Sequence, residues 1–186
     1  MTDLVPLFPN QTVPPLRVEL AGSGSFDLAS EKPPNFTLVV FYRGLHCPIC
    51  RGQLKDLESK LDEFEKRGVS VVAISTDSKE RAGQTMQGWG LSRLRVGYGL
   101  DLAVGRRWGL YLSSGHRKTS AGVDEPALFS EPAIYLVRPD GTLYFGSVQT
   151  MPFARPHFSD ILTAIDFVVK NNYPARGEVA DLRKTA

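Results

Sequence analysis

The chain has 186 residues, of which 42% are hydrophobic and 23% are charged, as in an ordinary globular protein with a substantial core. Its 22 lysines and arginines are balanced by 20 aspartates and glutamates, which gives a formal net charge of +2. So balanced a charge argues against proteins that hold nucleic acid or anionic membranes electrostatically. We therefore expect a single domain over residues 1–186, with neither nucleic acid nor membrane as a partner.

The N-terminal segment is rich in proline and polar residues, and we interpret residues 1–15 as an arm. The stretch MTDLVPLFPNQTVPPL lacks the basic region followed by an apolar region that marks a secretory signal. No apolar run in the sequence reaches the length needed to span a membrane. These features predict a cytoplasmic protein.

The first predicted elements are two short strands around the glycine-rich turn AGSG. They are LRVEL (residues 16–20) and SFDLA (residues 25–29), and together they indicate a β-hairpin. The next segment, NFTLVVFY (residues 35–42), is mostly apolar, β-branched and aromatic, which is typical of a strand buried on both faces. We expect this strand to be central in a sheet.

The hydrophobic period changes after Pro48. Apolar residues then recur at steps of four and three, which indicates one face of a helix that ends at Gly68. The run VSVVAIST (residues 69–76) predicts another buried strand. Because strand, helix and strand follow in this order, we expect a βαβ unit with two parallel strands.

The second half of the chain is predicted to add further helices and a hairpin. DSKERAGQTMQGWG indicates a helix with an Asp or Ser cap that ends near Gly88. A short strand and helical turns capped by Asp101 are expected next. The remaining patterns predict a loop, a hairpin around Pro-Asp-Gly and an amphipathic helix, at residues 113–130, 133–148 and 157–173. This order predicts an α/β fold in which helices flank a central mixed β-sheet, with the N-terminal hairpin as an extension.

The two cysteines of the sequence, Cys47 and Cys50, lie where a predicted strand gives way to a helix. Pro48 suits the first helical position, so Cys47 falls at the N-cap, where its sulfur faces unpaired backbone N–H groups. These donors and the helix dipole favour thiolate over thiol. Cys50 lies one turn further on the apolar face, where it is expected to be more buried but within disulfide reach. The pattern predicts a redox pair with Cys47 as the nucleophile and Cys50 as the resolving thiol.

The cysteine pair is also compatible with two other interpretations. A C-x-x-C motif can be half of a zinc site, but the sequence offers no further cysteine and only three widely spread histidines, so we expect no metal. The pair could also be packed and unused. Arg43 and His46 are near in sequence and are candidate supporting residues, although Arg43 is equally compatible with a surface charge and His46 with a half-exposed position. No cofactor is expected.

The segment VVFYRGLHCPICRGQLKDL, with VSVVAISTD, GYGLDLAVGRRWGLY and PAIYLVRPDGTLYFG, resembles the alkyl hydroperoxide reductase and thiol-specific antioxidant family. This is the peroxiredoxin-like branch of the thioredoxin-like superfamily, and the resemblance covers most of the chain. It implies a thioredoxin-like fold and a cytosolic thiol-disulfide oxidoreductase or antioxidant that reduces a peroxide or a disulfide. It also implies a thiol reductant, such as a thioredoxin- or glutathione-type system, and makes a homodimer a candidate assembly. The alternative is a redox-sensing or binding module without turnover.

The resemblance leaves open which sulfur reacts first. An ungapped match to the peroxiredoxin motif P-x-x-x-T-x-x-C puts the peroxidatic position at Cys50, the threonine position at Cys47 and the proline position at Arg43. The C-P-x-C pattern of thioredoxins and glutaredoxins instead makes Cys47 the nucleophile. Thioredoxin-like folds place a cis-proline against the reactive sulfur, and Pro132 is the matching position, so a cis Glu131–Pro132 bond is expected. Glu131 stands where a peroxiredoxin arginine would be sought.

Two further segments, MPFARPH and NNYPARGEV, each carry an arginine beside a proline and an aromatic residue. The arginines are Arg155 and Arg176. Similar segments occur in relatives of this family, where they could fold over the active-site side, line an oligomer contact or be ordered loops. The sequence assigns no role to either arginine.

Overall fold

The computed structural model describes residues 5–116 and 118–181. The predicted arm therefore lies partly outside the described residues, at 1–4. The strands are β1 (Arg17–Leu20), β2 (Ser25–Asp27), β3 (Phe36–Phe41), β4 (Val69–Ile74), β5 (Val96–Tyr98), β6 (Leu112–Ser114), β7 (Leu128–Ser130), β8 (Ala133–Val137) and β9 (Leu143–Val148). The α-helices are α1 (Pro48–Ser59), α2 (Leu61–Lys66), α3 (Lys79–Trp89), α4 (Leu102–Arg107) and α5 (Phe158–Asn171).

Seven of these strands form one mixed sheet in the order β2-β1-β5-β4-β3-β8-β9. Strand β4 is parallel to both β3 and β5, whereas β8 is antiparallel to β3. The hairpin of β1 and β2 adds to the sheet through an antiparallel pairing of β1 with β5. The predicted α/β fold with a mixed sheet and an N-terminal hairpin is therefore confirmed.

The central position of β3 follows from its sequence. All six of its residues are buried, and successive side chains point to opposite faces of a strand. Leu38 and Val40 pack in the core that contains α1 and α5, while Val39 and Phe41 pack in the core that contains Trp108. Apolar layers thus cover both faces of the sheet. None of the helices in the described part of the chain combines the length and the apolar character that a bilayer-spanning segment requires.

Two local features differ from the predictions, the helix after Pro48 and the loop over residues 113–130, whereas the end of the third helix agrees with them. The helix expected from Pro48 to Gly68 is broken at Lys60, whose φ of −107° and ψ of 4° end α1 and begin α2. The third helix ends near Gly88 as predicted: Trp89 is its last residue, and Gly90 caps it in the left-handed conformation that glycine adopts without a steric cost. The loop expected over residues 113–130 holds the antiparallel pair of β6 and β7. Its low apolar content hid this pairing, because both strands are short.

Candidate active site

Cys47 and Cys50 lie at the carboxyl ends of β3 and β4, where α1 begins. Cys47 is the N-cap of α1, with extended backbone angles, and Pro48 occupies the first helical turn as predicted. The backbone N–H of Cys50 donates a hydrogen bond to the Cys47 sulfur over 3.3 Å. Both cysteines are free thiols in this structure. The Cys47 sulfur therefore lies at a helix N-terminus.

The accessibility of the two sulfurs differs from the prediction. The sequence predicts that Cys47 is more accessible than Cys50. Both are buried, however, with Cys47 1% exposed and Cys50 0% exposed. Cys47 nevertheless lines a cavity of about 560 Å³ that Cys50 does not reach. Thr119 and Phe153 lie near the start of α1, where they line the same cavity as Cys47. The cavity has a charged side, with Arg43, Lys118 and Glu125, and an apolar side with Ile49 and Phe153.

The surroundings of the two thiols drive their ionisation in opposite directions. The hydrogen bond from the Cys50 side chain, then the Cys50 backbone N–H and the cations Arg155 and Arg43, lower the pKa of Cys47 from 9.0 to about 6 against the effect of burial. Burial, together with the hydrogen bond to Cys47 and its negative charge, raises the pKa of Cys50 well above its usual range. At neutral pH the pair is thus a Cys47 thiolate that accepts from a Cys50 thiol.

The turn before α1 is fixed by a buried carboxylate. Asp77, at 1% exposure, accepts from the backbone N–H of Leu45 over 2.7 Å and from Arg81 Nε over 2.8 Å. Gly44 has a φ of +129°, and a Cβ there would lie 2.6 Å from Asp77 Oδ2. Only glycine fits both conditions without strain. Because the Cys47 backbone N–H bonds to Gly44 O over 3.1 Å, this turn places the N-cap.

Arg43 lies inside the site rather than on the surface. Its guanidinium pairs with Glu125 over 3.4 Å and with Glu131 over 3.3 Å, and its side chain is 15% exposed. It also stacks over the Phe129 ring at 4.7 Å. Besides this ion pair, the buried Glu131 carboxylate accepts a hydrogen bond from the Ser113 hydroxyl over 2.6 Å. Arg43, at the motif's proline position, and Glu131, at the expected arginine position, are therefore partners of each other.

His46 is fully buried, so the half-exposed position that the sequence allowed is wrong. Its ring packs edge-to-face on Phe129 with the centroids 4.6 Å apart, and its backbone carbonyl accepts from the Thr119 hydroxyl over 2.6 Å. Neither ring nitrogen has a hydrogen-bond partner among the described residues. Burial, aided by Arg43 and Arg81, lowers the pKa of His46 to about 4. The ring is neutral at pH 7 and supplies no positive potential to Cys47.

Pro132 stands one residue before β8, next to the end of β3 in the sheet register. The expected cis bond before it is wrong, because every peptide bond in the described part of the chain is trans. The trans chain lets the Glu131 backbone N–H bond to Tyr111 O over 2.8 Å and lets Pro132 O accept from Gln149 N over 3.0 Å. These bonds continue the strand pairing on both sides of the proline. A supporting role for Pro132 stays a prediction.

Arg155, to which the sequence assigned no role, contacts both sulfurs. Its Nη2 donates to Cys50 Sγ over 3.3 Å and to Cys47 Sγ over 3.8 Å. Nε donates to Pro152 O over 2.7 Å, and Nη1 donates to the side-chain oxygen of Gln53. The similar segment around Arg176 behaves differently, because that arginine is exposed and borders a groove between β9 and α5. The two arginine-proline segments thus share a pattern but not a location.

The residues near the sulfurs do not form a metal site. Within residues 5–116 and 118–181, no three His, Cys, Asp or Glu side chains converge as ligands of an ion would. What the site does contain is a thiolate, a neighbouring thiol and two guanidinium groups. These groups can supply a nucleophile, a resolving thiol and a positive charge beside both.

Comparison with known proteins places the chain in a family. The sequence matches the AhpC/TSA family over residues 9–145. The chain belongs to this family, a peroxiredoxin-like group of thiol-dependent oxidoreductases. No curated protein matches the sequence.

Solved structures agree on the fold. The peroxidoxin BcpB from Mycobacterium tuberculosis is similar with a TM-score of 0.67 and 14% identity, over 87% of this chain and 98% of that one. The reduced 2-Cys peroxiredoxin of Plasmodium vivax gives a TM-score of 0.69 and 17% identity, over 90% and 84%. Enterococcus faecalis AhpC gives 0.69 and 15%, over 90% and 97%. At these identities the likeness shows the thioredoxin-like fold alone.

Proposed function

We propose that the protein reduces a hydroperoxide with Cys47 and closes a Cys47–Cys50 disulfide with each turnover. The observation that carries this proposal is the Cys47 sulfur held at the helix N-cap, with a lowered pKa and with the Cys50 thiol as its donor. A thiolate is the form of cysteine that attacks peroxide. The cavity beside Cys47 gives the substrate a path to this sulfur and leaves Cys50 behind it.

The first step is a displacement on oxygen. The Cys47 thiolate attacks the terminal peroxide oxygen, an S–O bond forms, and the O–O bond breaks. The leaving alkoxide or hydroxide takes up a proton and departs as an alcohol or water, while Cys47 becomes a sulfenic acid. Arg43 lines the cavity and is one of the cations that favour the attacking Cys47 thiolate.

The second step forms the disulfide. The Cys50 sulfur attacks the Cys47 sulfenic acid, the S–O bond breaks, and the hydroxide leaves as water after taking up a proton. A thiol reductant outside this chain, of the thioredoxin or glutathione type, then supplies two electrons and two protons that restore both thiols. We further propose a cytoplasmic location, where such reductants are present, and a homodimer as the assembly.

A second candidate reaction uses the same sulfurs on a disulfide. The C-P-x-C sequence and the bond from Cys50 N–H to Cys47 Sγ favour it, because a thiolate at a helix N-cap also attacks disulfides. Here Cys47 forms a mixed disulfide with one half of the substrate. Cys50 then attacks the Cys47 sulfur and displaces the substrate thiol, which leaves a Cys47–Cys50 disulfide. The redox-sensing alternative keeps the disulfide but has no turnover.

The test compares peroxide consumption by the wild type, Cys47→Ser and Cys50→Ser in the presence of dithiothreitol. We expect Cys47→Ser to lose the reaction by about a thousandfold or more, since a serine hydroxyl is not ionised at neutral pH. In a separate reaction without dithiothreitol, Cys50→Ser should consume one equivalent of hydrogen peroxide and then hold a Cys47 sulfenic acid, seen as a dimedone adduct by mass spectrometry. A glutathione disulfide assay on the same three proteins measures the second candidate reaction.

Three outcomes would contradict the proposal. Full activity in Cys47→Ser with none in Cys50→Ser would move the nucleophile to Cys50. Reduction of glutathione disulfide without peroxide consumption would favour the disulfide reaction. A wild type that forms the disulfide once and is not turned over by any thiol reductant would favour the sensor.

A further inference from the structure

We propose that Arg155 is a catalytic residue of the second step, in which its guanidinium activates Cys50 once Cys47 has been oxidised. This inference rests on the proposed peroxide reaction of Cys47, because it concerns how the resulting sulfenic acid is resolved. It gives Arg155 a function that neither the cysteine motif nor the family match assigns.

The geometry places the guanidinium at both reacting atoms, nearer to the sulfur that acts second. Nη2 lies 3.3 Å from Cys50 Sγ and 3.8 Å from Cys47 Sγ. The other nitrogens are held in place, since Nη1 donates to Gln53 and Nε donates to Pro152 O. Gln53 lies one turn beyond Cys50 on α1, so the guanidinium is fixed to the helix that carries both sulfurs. Its position is therefore set independently of the charge on either cysteine.

Burial explains why Cys50 needs such a partner. The Cys50 side chain is fully buried beside the equally buried Leu54 and Leu57. A thiolate formed there loses its hydration and is unfavourable unless a positive group or a hydrogen-bond donor meets it. The Arg155 guanidinium provides both the positive charge and, through Nη2, the hydrogen-bond donor. In the reduced protein, however, the Cys47 thiolate is also in reach of the same guanidinium and repels a second negative charge.

Oxidation of Cys47 changes this balance. Sulfenic acid formation removes the negative charge from Cys47 and the hydrogen bond that its thiolate accepts from Cys50. Both of these interactions raise the pKa of Cys50, whereas Arg155 lowers it. The guanidinium, shared between two sulfurs before oxidation, then serves Cys50 alone. Cys50 thus stays a thiol while Cys47 attacks the peroxide. It ionises only after Cys47 has become a sulfenic acid, when Cys50 is the attacking sulfur.

The chemistry balances with the groups present. Cys50 gives up its thiol proton, and the resulting thiolate attacks the Cys47 sulfur. The S–S bond forms as the S–O bond breaks, and the departing hydroxide combines with a proton to leave as water. Arg155 remains protonated throughout and stabilises the Cys50 thiolate electrostatically.

The first experiment measures the ionisation of Cys50 directly and requires no peroxide. The ultraviolet thiolate absorbance is measured as a function of pH in four proteins that all carry Cys47→Ser. One has no further change, and the others add Arg155→Met, Arg155→Lys or the matched control Arg176→Met. We expect Arg155→Met to raise the Cys50 midpoint by about one pH unit or more. Arg155→Lys should restore part of the shift, and Arg176→Met should match the parent. An unchanged midpoint in Arg155→Met, with an unaltered circular dichroism spectrum, would overturn the proposal.

The second experiment separates the two chemical steps. One equivalent of hydrogen peroxide is added to the reduced protein, and quenched samples are analysed by mass spectrometry for sulfenic acid and disulfide. We expect Arg155→Met to slow disulfide formation about tenfold more than sulfenic acid formation, so that a sulfenic acid accumulates that the wild type does not show. Arg176→Met should behave as the wild type.

The outcomes distinguish this inference from the proposed function. If Arg155→Met slows the first step and leaves resolution unchanged, the assigned step is wrong. If the wild type consumes no peroxide at all, the proposed function fails, and the titration in the Cys47→Ser background alone decides whether Arg155 activates Cys50.

Discussion

The two ends of the central sheet differ in how their polar groups are buried and paired. Near the amino ends of β4 and β5, Arg95 donates to both carboxylate oxygens of Glu31 over 2.8 and 3.0 Å, and the Ser70 hydroxyl bonds to the same carboxylate over 2.7 Å. At the carboxyl ends of β3 and β4, the His46 ring is buried without a partner and the Cys47 sulfur is buried with a lowered pKa. Charged groups are paired at both ends, but the carboxyl end also holds a buried histidine ring without a hydrogen-bond partner and a buried sulfur with a lowered pKa.

This difference separates stability from function. A satisfied, partly exposed ion pair adds modestly to the stability of the fold and does little else. Buried groups without full pairing lower stability and persist only because the surrounding structure holds them, which is typical of functional sites. Substitutions at the carboxyl end should therefore change both thiol reactivity and stability. Matched substitutions elsewhere should change stability alone.

The largest effect is expected from Gly44→Ala. The new Cβ meets the Asp77 carboxylate at 2.6 Å, at a φ of +129° that alanine adopts only under strain. We expect a loss of about 3–4 kcal/mol in the free energy of unfolding, together with slower peroxide consumption because the N-cap turn moves. Urea denaturation and the peroxide assay check both effects.

Gly52→Ala is the matched control for Gly44→Ala. Gly52 lies on the exposed face of α1, and a Cβ there meets nothing within 4 Å. The change should raise stability by about 0.5–1 kcal/mol and leave reactivity unchanged. Equal losses of stability in the two variants would refute the role given to the Gly44 turn.

Next in size is Arg43→Met. It leaves the buried Glu131 carboxylate without its cation, and we expect a loss of about 2–3 kcal/mol in stability. It also removes one of the positive charges that lower the pKa of Cys47, so the thiolate midpoint should rise. Chemical denaturation and thiolate titration measure the two quantities separately.

The counterpart at the amino end is Arg95→Met. The Arg95 side chain is 33% exposed in its pair with Glu31, so the expected loss is about 1 kcal/mol. The Cys47 midpoint should not move. A shift of the midpoint in Arg95→Met as large as that in Arg43→Met would remove the distinction between the two ends of the sheet.

A final effect, absent at neutral pH, is a pH dependence that His46 imposes on stability. Burial lowers the pKa of His46 to about 4, so between about pH 6.5 and 4 the unfolded chain binds a proton that the folded chain does not. Stability is full above about pH 6.5 and falls as the pH decreases, by about 2 kcal/mol at pH 5. His46→Leu should remove this loss, whereas His116→Leu, at an exposed position, should retain it. Denaturation curves that fall equally with acid in the wild type and His46→Leu would contradict this assignment.

The sequence predicted the parts of the site that depend on local chain geometry. The apolar run of β3, Pro48 and the spacing of Cys47 and Cys50 predict the strand, the helix start and the N-cap, because each depends on neighbouring residues. The sequence could not predict Arg155, which reaches the sulfurs from 105 and 108 residues further along the chain. Arg155 and Arg176 have the same local sequence pattern, so the sequence could not tell them apart. Only tertiary packing places Arg155 at the sulfurs and Arg176 at an exposed position.

The same reason explains the errors around His46 and Pro132. The burial of His46 depends on Phe129 and Thr119, in a segment whose low apolar content predicted a loop. The trans bond before Pro132 accompanies a hydrogen bond from the Glu131 backbone N–H to Tyr111, just before β6. It also accompanies a bond from Gln149, just after β9, to the Pro132 carbonyl. Each of these two errors concerns contacts between elements, whereas both strands of the βαβ unit and the start of its helix were predicted correctly.

The most direct test is a pH titration of thiolate absorbance on the reduced wild type, Cys47→Ser and Cys50→Ala. We expect one thiolate in the wild type, with a midpoint near the pKa of about 6 that the Cys50 hydrogen bond gives Cys47. This thiolate should be absent at neutral pH from Cys47→Ser and should have a higher midpoint in Cys50→Ala. A wild type without thiolate until about pH 8.5, or a neutral-pH thiolate that survives in Cys47→Ser, would contradict the assignment of Cys47 as the activated sulfur.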